Sequence, residues 1–300
     1  MRILYTLGVL CCLAAVALWL GRFGKITKRR AVIVAFSCLL AGAGGLLVAV
    51  LPTGDAYGTT VTTLPELRQV VGTVPAGAEK PVTPGEKTAG AKAGTAGSGA
   101  TAGAVRKQVA LTFDDGPYPP YTRELLQVLR QKKVHATFFL VASQASRYPE
   151  LVRQIKADGH TIGLHAYYHR DFLKLDTREK ANDLSRGKYV LQIITGDTPR
   201  FWRPPHGFRD RDVMDVAAEK GLTVVNWSVI PRDWTGISSD EIVSRVMDTV
   251  QPGSIVLLHD GDSPYYEASR KPTVDAVPVL IDRLRAQGYE IVSLEEGLKE

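Results

Sequence analysis

The chain has 300 residues, 37 Lys and Arg against 31 Asp and Glu, and a formal charge of +6 that could suggest an acidic partner. Residues 1–104 hold ten basic and four acidic side chains, while residues 105–300 hold 27 of each, so no basic stripe in the larger part supports nucleic-acid binding. The three cysteines, Cys11, Cys12 and Cys38, lie in apolar N-terminal runs, which excludes a disulfide framework, a cysteine nucleophile or a thiolate metal site in the remainder.

Residues 3–20 and 31–51 are apolar throughout, and each is long enough to cross about 30 Å of hydrocarbon as a helix. The loop at 21–30, GRFGKITKRR, carries Arg22, Lys25, Lys28, Arg29 and Arg30 and no acid. The positive-inside rule keeps that loop in the cytoplasm and puts everything after residue 51 outside. The expectation is a two-helix transmembrane hairpin at 1–51, in a multi-pass cell-membrane protein whose remainder is extracellular. A signal peptide cleaved near Ala41-Gly42-Ala43 is the alternative, and it also exports the remainder. Residues 52–104 turn to Thr, Pro, Gly and Ala, a composition too poor in apolar residues to offset ordering entropy, which predicts a flexible, disordered linker.

From 105 to 300 the pattern alternates between strand and helix. Strands are predicted at 108–113, 135–141, 161–166, 200–204, 222–229, 253–259 and 289–294. Helical periods fall at 121–131, 149–157, 177–194, 210–220, 239–250 and 272–286. Such alternation implies an α/β fold with a parallel sheet, open or closed into a barrel, whose working residues sit past the carboxyl ends of the strands.

That rule selects a set: Asp114 and Asp115 end the first strand, His165 and His169 the third, and Arg203 the fourth. Asp233 and Trp234 follow the fifth, and His259 and Asp260 end the sixth. Taken singly, each has an ordinary explanation. Asp-Asp-Gly-Pro is good turn chemistry, His165 and His169 could be a surface pair, and Arg203 a simple ion-pair partner. His135 and His160 are assigned no function. All six histidines lie beyond residue 134, so a metal site in this part would combine imidazole with carboxylate. Adjacent buried carboxylates repel and lose hydration, and a cation would offset both costs.

The order TFDDG, H-x-x-x-H, RPPHG, PRDW and LLHD resembles the five successive motifs of the polysaccharide deacetylases, carbohydrate esterase family 4, with its NodB homology domain, over about residues 106–298. The resemblance implies a deformed (β/α)7 barrel of the NodB type, TIM-like with fewer than eight strands. It implies hydrolysis of acetyl groups on an N-acetylated glycan, with peptidoglycan or a chitin-like polymer leading. On the matched motifs Asp115, His165 and His169 are expected to hold a divalent metal, Zn²⁺ first and Co²⁺, Ni²⁺ or Mn²⁺ as alternatives. Asp114 matches the general base, Arg203 the arginine that orients it, and His259 the general acid. Trp234 and Leu257 resemble apolar walls around the acetyl methyl group, and His206, Pro204 and Asp233 fall at substrate-contacting positions.

Three residues depart from the family pattern. Ala166 stands where a Ser or Thr usually braces the metal-histidine loop, and His206 where Tyr is usual. Ile230 stands where the fourth motif opens with the acid expected to pair with the catalytic histidine. His259 is therefore expected either to borrow Asp233, Asp260 or Asp262, or to titrate low. These departures keep a non-catalytic glycan-binding relative open, beside an esterase or a deacetylase of other acetylated substrates. Oligomeric state is left open.

Overall fold

The computed structural model describes residues 60–66, 107–262 and 269–299. Within them seven strands form the sheet: β1 (Gln108–Asp114), β2 (Thr137–Val141), β3 (Thr161–Ala166), β4 (Phe201–Trp202), β5 (Thr223–Val224), β6 (Ile255–His259) and β7 (Glu290–Val292). The helices are α1 (Tyr121–Lys132), α2 (Ala142–Arg147), α3 (Pro149–Ala157), α4 (Thr177–Thr195), α5 (Arg211–Glu219), α6 (Ser239–Thr249), α7 (Lys271–Ala286) and α8 (Leu294–Gly297). Short 3₁₀ turns at Phe172–Lys174, Pro205–Gly207 and Asp233–Thr235 shape the loops.

All strand pairs are parallel, in the order β5-β4-β3-β2-β1-β6, with β7 also paired to β1. β1 is the hub. Every one of its residues is buried, as a strand covered on both faces requires. Its register lays Asp114 beside His259 of β6, so two of the predicted site residues are neighbours by strand pairing alone.

Helix boundaries follow their caps. Asp176 and Glu179 form a reciprocal capping box at the start of α4, and Gly196 closes that helix in the left-handed region at φ 79°. Asp210 and Ser238 cap α5 and α6 one way only, their side chains accepting from the Val213 and Glu241 N–H groups. In α1 the apolar stripe Leu125, Leu126 and Leu129 is buried on the sheet, each side chain contributing about 1.5–3 kcal/mol by leaving water.

Two cores result. The larger lies between sheet and helices and includes Phe113, Phe138, Leu164, Trp202 and Val277. The smaller lines the inside of the curved sheet with Ala110, Phe139, Phe201, Val225, Ile255, Val292 and Leu294, together with Val61 and Leu64. These last two come from the stretch assigned by composition to the linker at 52–104, and that assignment is corrected for residues 60–66.

Between β5 and β6 a single bridge, Val229 to Val256, links the chain, and residues 60–66 fill the neighbouring space. Val61 N–H donates to the Val224 carbonyl at 3.0 Å, Asn226 N–H to the Val61 carbonyl at 2.7 Å, and Leu64 N–H to the Gly253 carbonyl at 2.8 Å. A Cβ on Gly253, at φ 87°, would sit 2.7 Å from Pro65 Cδ, so glycine is what permits the approach. Thr63 and Glu66 form a reciprocal cap, with Thr63 N–H 3.3 Å from the Glu66 carboxylate and Glu66 N–H 3.4 Å from Thr63 Oγ1. That Thr-Leu-Pro-Glu signature is the local reason the segment turns there.

The predicted strands at 200–204 and 222–229 shorten to two residues each, because Pro204 and Pro205 end the first and the chain turns inward after Val224. The predicted strand at 289–294 ends at Val292, since Ser293 caps α8. The apolar segments at 3–20 and 31–51, their basic loop and the rest of the linker lie outside the described residues. Among the described residues no helix is long and apolar enough to cross a membrane.

Candidate active site

Strand alternation would send Asp114 and Asp115 to opposite faces of the sheet. Asp115 instead adopts φ 75°, a left-handed conformation rare outside glycine, and both carboxylates line one cavity of about 260 Å³ at the carboxyl end of the barrel. Gly261, leaving β6, lies so close that a Cβ there would stand 2.2 Å from the Asp115 carbonyl.

Asp115 Oδ1 is buried and approaches His165 Nε2 at 3.3 Å and His169 Nε2 at 3.1 Å, yet it receives no hydrogen bond. Three ligand-type atoms thus converge within 4.8 Å of one another, an arrangement that suits a cation. His165 Nδ1–H donates to the Arg203 carbonyl at 2.7 Å, which turns the Nε2 lone pair toward Asp115. Burial would raise the Asp115 pKa, but the two imidazoles beside it win and hold it well below the usual carboxylate range. Burial pulls His165 down, but Asp114 and Asp115 outweigh it and its pKa is raised.

Arg203 is fully buried and every arm of its guanidinium is committed. Nη1 donates to Asp114 Oδ1 at 2.7 Å and to Thr112 Oγ1 at 2.8 Å, Nε to the Val225 carbonyl at 3.0 Å, and Nη2 to the Asn226 carbonyl at 2.8 Å. A charge so placed is tolerable because its donors are satisfied, and it fixes the Asp114 carboxylate in one orientation.

His259 completes the wall. Its ring Nδ1 meets Asp233 Oδ1 at 2.8 Å and its main-chain N–H donates to Asp233 Oδ2 at 2.8 Å, an oxygen that also accepts from Thr273 Oγ1 at 2.8 Å. Burial works against the charged ring, but Asp233 and the more distant Asp114 and Asp115 push its pKa up to about 9. Of the two alternatives expected for His259, a borrowed carboxylate and a low titration, the geometry shows the first. Of the three carboxylates weighed for it, Asp233 is the partner. Asp260 turns to Thr122 Oγ1 at 2.5 Å, and Asp262 to Arg270 at 3.1 Å. Ile230 leaves no gap behind it, since it lies half-exposed on the cavity rim.

Trp234 stands edge-on to His259 with ring centroids 5.0 Å apart, and His206 stands edge-on to His169 at the same separation. Leu257 lines the cavity, but Pro204 and Asp233 do not: Pro204 supports the turn at Pro205–Gly207 and Asp233 lies behind His259. Trp227, Ile230 and Arg270 line it without having been proposed as substrate contacts. A larger cavity of about 490 Å³, bordered by His135, His160 and Glu296, lies at the amino ends of the strands, away from this cluster.

Comparison with known proteins bears on this arrangement. A family profile described as polysaccharide deacetylase matches residues 102–225. A chitooligosaccharide deacetylase of Bradyrhizobium sp. (strain ANU 289) is 39% identical over 197 residues, covering 63% of this chain and 90% of the relative. A peptidoglycan-N-acetylglucosamine deacetylase of Bacillus cereus is 36% identical over 189 residues, covering 63% of this chain and 67% of the relative. The chain belongs to the polysaccharide deacetylase family. A solved peptidoglycan N-acetylglucosamine deacetylase superposes with a TM-score of 0.61 at 34% identity, covering 65% of this chain and 89% of that one. The parallel α/β sheet described above is thus the barrel of this deacetylase family, and the cluster around Asp114 occupies its carboxyl end.

Two features of the deacetylase site were hidden in the sequence. Thr112, an unremarkable strand residue, shares Arg203 Nη1 with Asp114. Trp227 faces the cavity from just beyond β5, where apolar content alone reads as core.

Proposed function

We propose that this deacetylase removes N-acetyl groups from a cell-surface polysaccharide, peptidoglycan or a chitin-like glycan, in a metal-dependent hydrolysis. The observation that carries the reading is the convergence of Asp115, His165 and His169 beside two separately oriented groups, Asp114 on Arg203 and His259 on Asp233, in one cavity. The unbonded Asp115 Oδ1 and the oriented Nε2 of His165 fit a divalent cation, with Zn²⁺ suited to the imidazole and carboxylate set. Such a cation, held by these three side chains, supplies Lewis acidity and lowers the pKa of water.

Asp114, held by Arg203, takes a proton from the attacking water. His259, kept protonated by Asp233, gives a proton to the departing nitrogen, so that water is divided between acetate and a free amine and the site ends with its protons exchanged. Trp227, Ile230, Trp234 and Leu257 provide the apolar surface that suits an acetyl methyl group. The composition of residues 1–51 supports a membrane-tethered, extracellular placement. Extraction of the native protein with alkali would release it if that placement is wrong.

The test of the activity is acetate release by the full chain from N-acetylated peptidoglycan and from chitin oligomers, after metal removal and with Zn²⁺ restored, beside Asp114→Asn. Metal-restored release that the variant lacks is the expected result. Stoichiometric metal binding without release from any acetylated substrate would favour a binding role instead.

A further inference from the structure

His165 and His169 are held in different ways. His165 lies within β3, and its ring is aimed by the Arg203 carbonyl. His169 lies in the loop beyond, at φ 54°, and its buried Nδ1 has no hydrogen-bond partner. Its position therefore rests on the loop backbone, and Ala166 offers that loop no hydroxyl.

What holds the loop is a carboxylate from α4. Asp183 has a side chain with no exposed surface, and its Oδ1 accepts from Tyr167 N–H at 2.6 Å. Arg170, on the far side of His169, brings its guanidinium to 3.6 Å from Oδ2. The carboxylate thus holds one side of His169 by a hydrogen bond to Tyr167 and meets the other by the charge of Arg170, Oδ2 itself having no hydrogen bond. Tyr167 is fixed twice more, by Ser143 N–H donating to its carbonyl at 3.1 Å and by the Arg186 guanidinium 3.8 Å from its ring centroid.

We infer that Asp183 is a positioning residue for the metal site, bracing the left-handed His169 loop so that the His169 ring meets Asp115. The inference rests on the deacetylase reading of that site. Loss of a group that orients a metal-binding side chain typically costs about 10–100-fold in metal affinity. The same range is expected here.

The test uses the full chain and three variants: Asp183→Asn, which keeps an acceptor oxygen; Asp183→Leu, which fills similar space without one; and Asp183→Ala. Zn²⁺ affinity is read by competition with a chromophoric chelator, the Co²⁺ absorption spectrum reports ligand geometry, and thermal melting reports folding. The expected result is affinity near wild type for Asn, an affinity at least about tenfold weaker with an altered Co²⁺ spectrum for folded Leu or Ala, and activity recovered at excess metal. Folded Leu or Ala protein with wild-type affinity and spectrum would overturn the inference. So would failure of both to fold while Asn folds, since Asp183 would then serve the fold alone. Absence of stoichiometric metal from the wild-type protein would count against the proposed function itself and is read in the same titration.

Discussion

Asp233 takes two hydrogen bonds from His259, one from the ring Nδ1 and one from the main chain, each at 2.8 Å. The first favours a charged ring and the second fixes where that ring stands. Because the histidine pKa is raised to about 9, the ring is protonated at neutral pH, and a reaction that needs it as an acid should fall as pH rises through that pKa. A bound divalent cation adds positive charge nearby and moves this limb to lower pH than in the cation-free protein.

Asp233→Asn keeps an acceptor for Nδ1 but removes the charge. An opposite charge at this range shifts a pKa by about 1–3 units, so the alkaline limb of kcat/KM should move toward acid by about that amount. The pH profile of the full chain on a chitin oligomer measures it. A limb that stays in place would show that some other group is the acid.

Metal loading should depend on pH for a separate reason. Asp114 and Asp115 raise the His165 pKa in spite of burial, and a cation can take Nε2 only after that proton leaves. Zn²⁺ affinity is therefore expected to drop by about tenfold per pH unit below the raised pKa, with about one proton released from the ring on binding. Calorimetric titration in two buffers of different ionisation enthalpy counts the protons. Affinity independent of pH between about 5 and 8 would contradict the assignment.

The carboxyl-end rule for strands found Asp114, Asp115, His165, Arg203 and His259 because each sits at or beside the end of an apolar run whose period is plain. The carboxylate partner of His259 was narrowed to three acids but not chosen, since the choice depends on how the turn at Asp233–Thr235 meets β6, twenty-six residues away in the chain. Asp183 was invisible for a compositional reason: in TREKANDLSRGK it reads as one more polar residue on a solvated helix face, yet its side chain is buried. Val61 and Leu64 were hidden by their neighbours, two apolar residues in a Thr-rich stretch too short to show a period.

The Asp114 and Arg203 pair should separate catalysis from stability. Arg203→Met leaves the Asp114 carboxylate buried without its partner, a change expected to cost about 3–5 kcal/mol in denaturant unfolding. Asp114→Asn retains the guanidinium's bonds to Thr112, Val225 and Asn226 while removing the base, so kcat should fall about 10²–10⁴-fold with a smaller loss of stability. The double variant should be more stable than Arg203→Met alone. Strictly additive losses would mean that the two residues do not act as a pair.

The segment at 60–66 predicts where the folding unit must begin. Val61 and Leu64 are buried to 0% and 1% exposure inside the curved sheet, and three main-chain hydrogen bonds fix the segment to residues 224, 226 and 253. Removing Leu64 beyond its Cβ should cost about 2–5 kcal/mol, because Gly297 presses close to its methyl groups and the rigid barrel wall can collapse only partly into the space. A chain starting at residue 105 loses both side chains and exposes the inner core beside Phe139 and Ile255. It should melt well below a chain starting at residue 55 and bind a hydrophobic dye that the longer chain excludes. Charge at the same place should act more strongly, so Leu64→Asp in the full chain should lower the melting temperature further than Leu64→Ala. Equal melting of the two truncated chains would show that the barrel's inner core is complete without these residues.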